Sequence, residues 1–284
     1  MNHGKLYLGC AVWSYKGWVG NFYPEKTKPK DFLGLYSQQF NTVEGNTTFY
    51  AVPQAKTVSK WVNETTDNFK FCPKFPRTIT HQGLLKPRIA EAAKFLSVMS
   101  GLNTNLGIVF AQLPPSYSPQ YLEDLQQFLA AFKKYDIALE VRHLDWFASP
   151  YQEQLHQMLA ELNIAKVLLD TRPIYNSKDD PQANSQRRKP NVPLNPIVTN
   201  NFALVRFISH PQTEQNQIYL KQWVAQVKDW LKAGKTVYFF VHCPIEDHSP
   251  STANYFKSLL QNEGVDISQI ASNPISKPNQ LSLF

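Results

Sequence analysis

Short apolar runs recur along the chain, and a segment whose apolar residues are spaced three to four apart follows most of them. Runs of this length predict buried strands, and the spacing predicts amphipathic helices. The predicted strands are Lys5–Trp13, Phe40–Asn46, Phe69–Phe75, Leu106–Leu113, Ile137–Arg142, Ala165–Asp170, Phe202–Ile208 and Thr236–His242. The predicted helices are Lys30–Gln39, Thr57–Thr65, Arg88–Ser100, Gln120–Tyr135, Tyr151–Leu162, Ile218–Ala233 and Ser251–Asn262. Alternating strands and helices are typical of a parallel sheet, and eight strands indicate an α/β fold with a single (β/α)8 TIM-type barrel.

Two segments depart from this alternation. Thr171–Asn201 lacks clear periodicity and contains several Pro, Asn and Ser residues, which predicts a long irregular loop after strand 6, at the same end of the barrel as the candidate site. After Gly264, prolines alternate with polar residues, a composition typical of an extended tether. We therefore expect a barrel over residues 1–264 and a flexible C-terminal tail over residues 265–284.

The composition fits one globular domain. A length of 284 residues with 43% hydrophobic and 18% charged side chains matches a single α/β barrel. No apolar run is long enough for a membrane span, and the N-terminal residues lack the features of a signal peptide, so we expect a cytoplasmic protein that does not bind membranes. Cys10, Cys72 and Cys243 lie far apart, which indicates reduced thiols.

The formal net charge is +7. Such a balance fits a polyanionic partner such as DNA or a phosphorylated small molecule, but dispersed charges of this kind fit simple solubility equally well. The densest basic run, 187–189, stands among Pro, Asn and Gln residues, where a solvated loop is the default interpretation.

Polar residues near the C-terminal ends of the strands are the candidate site. Alternate residues of a barrel strand face the interior, and catalytic groups of this fold lie at the C-terminal strand ends and in the loops that follow. The candidate catalytic residues are Glu44, Lys74, Glu140, Arg142, Asp170 and His242. The candidate substrate-binding residues are Trp13, Tyr15, Asn46, Tyr50, Gln112, His143 and Arg206. We expect the first five catalytic candidates to converge in one pocket.

Two interpretations of these charges stay open. They form either a stabilising network with Glu44–Lys74 and Glu140–Arg142 pairs, or a site that meets a charged ligand, because buried charge is costly unless it is compensated. Carboxylates provide acid/base chemistry or hold a divalent cation, while Lys and Arg hold phosphate or carboxylate groups. The cofactor is unknown: a divalent metal is one alternative, although the histidines are scattered and no ligand-spacing motif is present.

Several motifs carry a family resemblance. They are Val12-Trp-Ser-Tyr-Lys-Gly-Trp18, Val43-Glu-Gly-Asn-Thr-Thr-Phe-Tyr50 with Pro53, Phe71-Cys-Pro-Lys74 through Thr80-His81, Leu139-Glu-Val-Arg-His143 with Trp146, and Leu204-Val-Arg-Phe207. In this order they resemble the domain of unknown function 72, or YecE-like, family over about Gly9 to Asn262. The resemblance implies a TIM-type barrel but no established activity.

The chain departs from the family pattern near the end of the barrel. It has Ile208-Ser209 where the family tends to have His-Gly, and His242-Cys243 where the family favours an Asn pair. The sequence therefore leaves undecided any chemistry of the family that depends on those positions. The family's barrel is similar to endonuclease IV-type barrels, which use metal sites on DNA, but a shared fold does not establish a shared function.

A second resemblance lies at the C-terminus. The last five residues are Gln280, Leu281, Ser282, Leu283 and Phe284. They resemble the pentapeptide by which bacterial DNA polymerases and repair proteins bind the bacterial sliding clamp, with Leu and Phe as apolar anchors. The alternatives are a segment that packs on the barrel or one without a role.

Three functions follow from these observations. The first is a repair-associated barrel tethered to the sliding clamp, such as a metal-assisted phosphodiesterase, which is a hydrolase acting on DNA. The second is an enzyme acting on a phosphorylated or carboxylated small molecule such as a sugar. The third is a non-catalytic clamp-tethered binding protein. Whether the chain is an enzyme stays open at this point.

Overall fold

Strands and helices alternate in the computed structural model, which describes residues 4–185 and 188–270. The strands are β1 (Lys5–Cys10), β2 (Thr42–Gly45), β3 (Lys70–Pro73), β4 (Val109–Gln112), β5 (Ile137–Glu140), β6 (Ala165–Asp170), β7 (Phe202–Ile208) and β8 (Thr236–His242). The helices are α1 (Phe32–Ser37), α2 (Thr47–Tyr50), α3 (Ala55–Asn63), α4 (Arg77–Thr80), α5 (Ile89–Met99), α6 (Leu122–Ala130), α7 (Tyr151–Glu161), α8 (Arg172–Tyr175), α9 (Glu214–Lys232) and α10 (Ser249–Asn262). Each strand lies inside the run predicted for it.

Three one-turn helices were not predicted. They are α2, α4 and α8, and each begins shortly after the C-terminal end of a strand. A single turn is too short to show helical periodicity, so the hydrophobic pattern does not reveal it. These turns matter because they line the end of the sheet where the polar residues lie.

The sheet is parallel and curled. Six strands pair in the order β1-β8-β7-β6-β5-β4, and β2 pairs with β3 in a second, two-stranded sheet. The mixed α/β fold is therefore confirmed. Within the described residues the strand ladders do not run continuously around all eight strands, so the complete (β/α)8 barrel stays a prediction.

Apolar residues fill both faces of the sheet. One cluster lies between the strands on their inward face and includes Tyr7, Phe110 and Leu204. The larger cluster lies between the sheet and the helices. In α9, the buried positions Leu220, Trp223, Val224 and Val227 form the expected helical stripe. Burial of each such side chain contributes about 1.5–3 kcal/mol, which holds the helix against the sheet.

The long segment after β6 is largely irregular, as predicted, apart from the short helix α8. It passes over the C-terminal ends of the strands, where Arg188 and Lys189 share a cavity with Arg206 of β7. The hydroxyl of Tyr175 donates a hydrogen bond to the Lys189 carbonyl oxygen, which ties the segment back onto α8. Residues 186 and 187 lie outside the described part of the chain.

The end of the described chain packs against the core between the sheet and the helices. Ile270 is buried in the larger apolar cluster, and Val265 and Ile267 pack against it. The packed structure therefore extends beyond Gly264, the boundary expected from the sequence. Residues 271–284, which include the clamp-like pentapeptide, lie outside the described residues.

Two further features bear on the class of protein. Throughout residues 4–185 and 188–270, none of the helices combines the length and apolarity that crossing a membrane requires. Cys10, Cys72 and Cys243 are free and buried. Burial raises the pKa of the Cys72 and Cys243 thiols to about 12, so neither is a thiolate at neutral pH.

Candidate functional site

A buried guanidinium joins two carboxylates at the centre of the site. Arg206 of β7 donates to both oxygens of Glu44 at 2.8 and 2.9 Å, and to one oxygen of Glu140 at 2.6 Å. All three side chains are at most 3% exposed. Buried ions need such complete hydrogen bonding to offset their lost hydration. This triad forms the floor of the site.

A second layer of polar contacts lies around the triad. Arg142 donates to Glu140 at 2.6 Å and to the Gln112 side-chain oxygen at 2.7 Å. Lys74 donates to the same Gln112 oxygen at 2.6 Å. The Glu140–Arg142 pair was predicted correctly. The Glu44–Lys74 pair was wrong, because Arg206 occupies both oxygens of Glu44.

His242 at the end of β8 completes the cluster. Its Nε2 lies 2.8 Å from Glu44 Oε2. Burial, together with the Arg206 guanidinium, lowers the pKa of His242 to about 4 against the opposing effect of Glu44. The imidazole is therefore neutral at pH 7, and its Nε2–H donates to the carboxylate.

The pKa values of the two carboxylates and of Lys74 are shifted in ways that distinguish the roles of these residues. Burial alone would raise the pKa of Glu140, but Arg206, Arg142 and Lys74 lower it to about 2. The Arg206 guanidinium and His242 likewise overcome the burial of Glu44 and hold its pKa well below the usual range. Burial, with Arg206 nearby, lowers the pKa of Lys74 to about 7. Lys74 is thus the member of the cluster that exchanges a proton near neutral pH.

A cavity of about 540 Å³ opens above this cluster, and we call it the mouth cavity. Its lining residues are Ala11, Val12, Asn46, Phe49, Tyr50, Lys74, Arg77, His81, Gln112, Arg142, Arg188, Lys189, Arg206, His242 and Glu246. Six of them are Lys or Arg, and among the described lining residues Glu246 contributes the one carboxyl group. A concave surface with this charge concentrates anions.

Most of the predicted site residues lie together. The mouth cavity and its floor contain Glu44, Lys74, Glu140, Arg142, His242, Asn46, Tyr50, Gln112 and Arg206. Strand parity therefore placed four of the five convergent candidates correctly. Their catalytic and binding roles stay predictions.

Asp170 is the exception, and its predicted convergence was wrong. Its carboxylate accepts hydrogen bonds from Arg172 at 2.8 Å and from the indole of Trp223 on α9 at 2.7 Å, on the helix side of the sheet. The inward positions of β6 are Ala165 and Val167. The alternate set that holds Lys166 and Asp170 therefore faces the helix layer, where Lys166 lies 2.8 Å from His156, so the charged positions of β6 do not mark its inward face.

Three predicted substrate-binding residues lie elsewhere. Trp13 packs in the outer apolar layer, with its ring centre 5.4 Å from that of Trp61. The hydroxyl of Tyr15 donates to Asp247 at 2.8 Å, and Tyr15 does not line the mouth cavity. His143 accepts a hydrogen bond from the backbone N–H of Asp145 at 3.3 Å and caps a 3-10 turn. Trp13 and Tyr15 lie outside the mouth cavity because the large apolar surface of an aromatic side chain favours packing.

The sequence interpretation missed several cavity residues. They are Phe49, Arg77, His81, Arg188, Lys189 and Glu246. Arg77, His81 and Glu246 follow the ends of β3 and β8, so the rule that sites of this fold lie beyond strand C-termini points to them. Burial lowers the pKa of His81 to about 4, with the neighbouring Lys74 adding to the shift, so its ring is neutral at pH 7.

The geometry does not provide a metal site. Across the described ranges, no three His, Cys, Asp or Glu side chains are grouped so that they could hold a metal ion. The oxygens of Glu44 and Glu140 already accept hydrogen bonds from Arg206, Arg142 and His242. These carboxylates therefore do not fit a divalent cation in this arrangement, and we derive no step through one.

Known proteins are similar to this chain in sequence and in fold. The profile of a family described as protein of unknown function DUF72 matches residues 7–278. UPF0759 protein YecE of Escherichia coli K12 is 33% identical over 98% of this chain and 100% of its own length. UPF0759 protein YunF of Bacillus subtilis 168 is 25% identical over the same shares.

Solved structures agree in fold. A DUF72 family protein from Enterococcus faecalis V583 matches with a TM-score of 0.71 and 20% identity, covering 90% of this chain and 95% of that one. A DUF72 family protein from Thermotoga maritima MSB8 matches with a TM-score of 0.67 and 23% identity, covering 90% of this chain and 99% of that one. At these identities the likeness concerns the fold alone.

Proposed function

The chain belongs to the DUF72 family of proteins of unknown function, and from the geometry of its mouth cavity we propose that it binds a phosphorylated small molecule there, with Lys74 exchanging a proton with the ligand. The observation that carries this proposal is uncompensated positive charge. In the described part of the chain, no carboxylate lies within ion-pair distance of Lys74, Arg77 or Lys189. A dianionic phosphate supplies the missing negative charge.

The charges below the cavity do not cancel this excess. Glu44 and Glu140 are already held by Arg206 and Arg142. Lys189 is partly buried, and burial together with Arg206 lowers the pKa of its ammonium group. Cations that are kept close together despite this cost gain stability when an anion binds between them.

Several contacts support one eight-stranded barrel around this site. Isolated parallel bridges join Phe71 to Leu106 and Lys74 to Phe110, which link β3 to β4. At the other gap, the Asn41 side chain accepts from Leu8 N at 2.8 Å and donates to Leu6 O at 2.9 Å. A Cβ at Gly9 would lie 1.9 Å from the Thr42 carbonyl oxygen, so glycine permits the close approach of β1 and β2.

A phosphodiesterase acting on DNA is the alternative that shares this phosphate chemistry. It accounts for the net charge of +7, but the described residues offer no ligand set for the metal that such a reaction was expected to use. A purely binding role would need the cavity cations and would not need proton exchange at Lys74. The size of the mouth cavity, about 540 Å³, is that of a small-molecule site.

We expect the Arg77→Ala, Lys189→Ala double variant to lose about tenfold or more in affinity for phosphate, because each charge-assisted contact contributes about 1.5–3 kcal/mol. Isothermal titration with inorganic phosphate and with sugar phosphates measures this loss. The matched control is Lys56→Ala, Lys221→Ala, which removes the same charge at exposed positions outside the cavity lining. Equal affinities for the double variant and the control would contradict the proposal. A titration with duplex DNA distinguishes the alternative ligand.

We further propose that the C-terminal pentapeptide, residues 280–284, binds the bacterial sliding clamp. The support is the sequence of the pentapeptide, which carries Leu283 and Phe284 after a segment containing Pro274 and Pro278. A short tethered peptide inserts such anchors in an apolar pocket at modest cost in ordering, which predicts micromolar affinity.

Removal of residues 280–284 is expected to lower affinity for purified sliding clamp about tenfold or more, since the apolar anchors are lost. Surface plasmon resonance on immobilised clamp measures the effect. Asn279→Ala, which changes the residue before the motif, is the control and should bind as the intact chain does. If the intact chain does not bind the clamp, the proposal is rejected. If the truncation lowers the melting temperature of the barrel, the segment has a structural role.

A further inference from the structure

Glu246 is the carboxyl group in the lining of the mouth cavity, and the triad on the floor does not use it. It follows β8 in a 3-10 turn, Glu246–His248. The indole N–H of Trp18 donates to the Glu246 backbone oxygen at 2.9 Å, so the turn is anchored. The side chain is thus held at a defined place on the wall of the cavity.

One oxygen of this carboxyl group is within reach of a ligand. Within the described residues, Oε1 of Glu246 is buried beside the Ser249 hydroxyl, which lowers the pKa of the carboxyl group although neither atom makes a hydrogen bond of good geometry. Oε2 is not enclosed in this way and has no hydrogen-bond partner among the residues that the structure describes, so it is the oxygen that a ligand in the cavity can reach. An accessible carboxyl oxygen without a partner in a cavity wall marks a place where a ligand atom can form a hydrogen bond, whereas the enclosed Oε1 is out of a ligand's reach.

We propose that Glu246 forms a second subsite of the mouth cavity, where its carboxyl group donates a hydrogen bond to a hydroxyl oxygen of a sugar or polyol phosphate. This inference rests on the proposed phosphate site. The cavity cations hold the phosphate, and Glu246 selects ligands whose carbon skeleton carries a hydroxyl group within reach. A hydroxyl oxygen both accepts and donates, so it pairs with a carboxylic acid as well as with an amide.

The surroundings of Glu246 favour the donor form. Burial raises the pKa of its carboxyl group to about 8, and Glu44 and Asp247 add to this effect, while Ser249 and Lys189 oppose it. The titratable and charged groups that influence Glu246, or that it influences, are Glu44, Asp247, Lys189, Tyr15, Cys10 and Cys243. At pH 7 the carboxyl group is therefore mostly protonated and does not repel an anionic ligand.

The pH dependence has a definite sign. As pH rises through about 8, Glu246 loses its proton, can no longer donate, and adds negative charge beside the bound phosphate. Affinity for sugar phosphates should fall over this range by more than affinity for inorganic phosphate, which does not reach the subsite. Comparing the ratio of the two affinities between wild type and Glu246→Gln removes the contributions of Lys74 and of the ionisation of the ligands, because both affect the two proteins alike.

Isothermal titration with inorganic phosphate, glycerol 3-phosphate, ribose 5-phosphate and glucose 6-phosphate tests the subsite. We expect wild type to prefer at least one sugar or polyol phosphate over inorganic phosphate by about tenfold at pH 7, the value of one good hydrogen bond. Glu246→Ala should lose this preference but keep its affinity for inorganic phosphate. Glu246→Gln, which keeps the shape and a donor, should keep the preference and lose its dependence on pH between 7 and 9.

Two results with the variants would overturn the inference. One is an unchanged preference in Glu246→Ala, and the other is a Glu246→Gln variant that behaves like Glu246→Ala or retains the wild-type pH dependence. If wild type binds inorganic phosphate but shows no preference for any sugar or polyol phosphate, the subsite is rejected and the phosphate site is retained. Failure of wild type to bind any of the four probes would reject both. Melting temperatures of the two variants, measured with the same samples, verify that each is folded.

Discussion

Replacing Arg206 by Met is expected to lower the free energy of unfolding by roughly 3–5 kcal/mol, because two buried carboxylates lose their shared cation. Glu44 and Glu140 each accept from Arg206 at 2.6–2.9 Å and are 1% exposed. Without the guanidinium they must either stay charged in a poorly hydrated place or take up a proton. Urea or thermal unfolding at pH 7 measures the loss.

Two controls make this prediction specific. Arg88→Met removes a surface guanidinium that pairs with Glu91 at 3.7 Å, and such exposed pairs contribute only about 0–1 kcal/mol. Adding Glu44→Gln and Glu140→Gln to the Arg206 variant removes the unpaired charges and should restore most of the lost stability. A small effect of Arg206→Met, or no recovery in the triple variant, would show that the triad is not held by charge compensation.

Replacing Lys74 by Met is expected to have the opposite effect on stability, raising the free energy of unfolding at pH 7 by roughly 1–3 kcal/mol, while phosphate binding is lost. Met keeps the length of the side chain between the rings of Phe49 and Phe110, which lie 4.4 and 5.2 Å from the ammonium group. The Gln112 oxygen still accepts from Arg142, so no buried acceptor is left without a partner. A gain in stability with a loss of binding is typical of a functional residue.

The pH dependence of stability provides a second measurement on Lys74. Its folded pKa of about 7 lies below the usual value of about 10.4, so the unfolded chain binds more protons between these values. This group therefore makes stability rise with pH above 7, and Lys74→Met should remove that slope between pH 7 and 9. Phosphate binding to wild type at pH 7 should also make Lys74 take up about half a proton, which titration in buffers of different ionisation enthalpy detects once the protons released by the phosphate itself are subtracted. Identical slopes in the two proteins would contradict the role of Lys74.

Much of this fold could be predicted from local pattern. Each of the eight strands lies inside an apolar run of the sequence, and the longer helices follow the three-to-four spacing, as α9 shows. These predictions succeed because periodicity reports burial directly. Strand parity also placed Glu44, Lys74 and Glu140 at one end of the sheet, since alternate residues on neighbouring parallel strands share a face.

The pairing of these charges could be decided only by the tertiary structure. The sequence suggested that Glu44 pairs with Lys74, but Arg206, 162 positions away, reaches both oxygens of Glu44 from β7. Asp170 shows the same limit. Its face of β6 also carries Lys166, and only the packing of α9, with Trp223 placed to donate to the carboxylate, shows that this face points toward the helices.

The sequence by itself therefore determined the strands and the longer helices, the parallel α/β class, the family and the end of the sheet where the polar groups gather. The tertiary structure alone decided which cations stay without a carboxylate partner, and that Glu246 and Lys189 line the same cavity. The physical reason is the sequence distance over which each kind of interaction acts. Helix and strand periodicity arise from neighbours a few residues apart, whereas charge compensation and pKa shifts depend on distances between groups that the fold brings together.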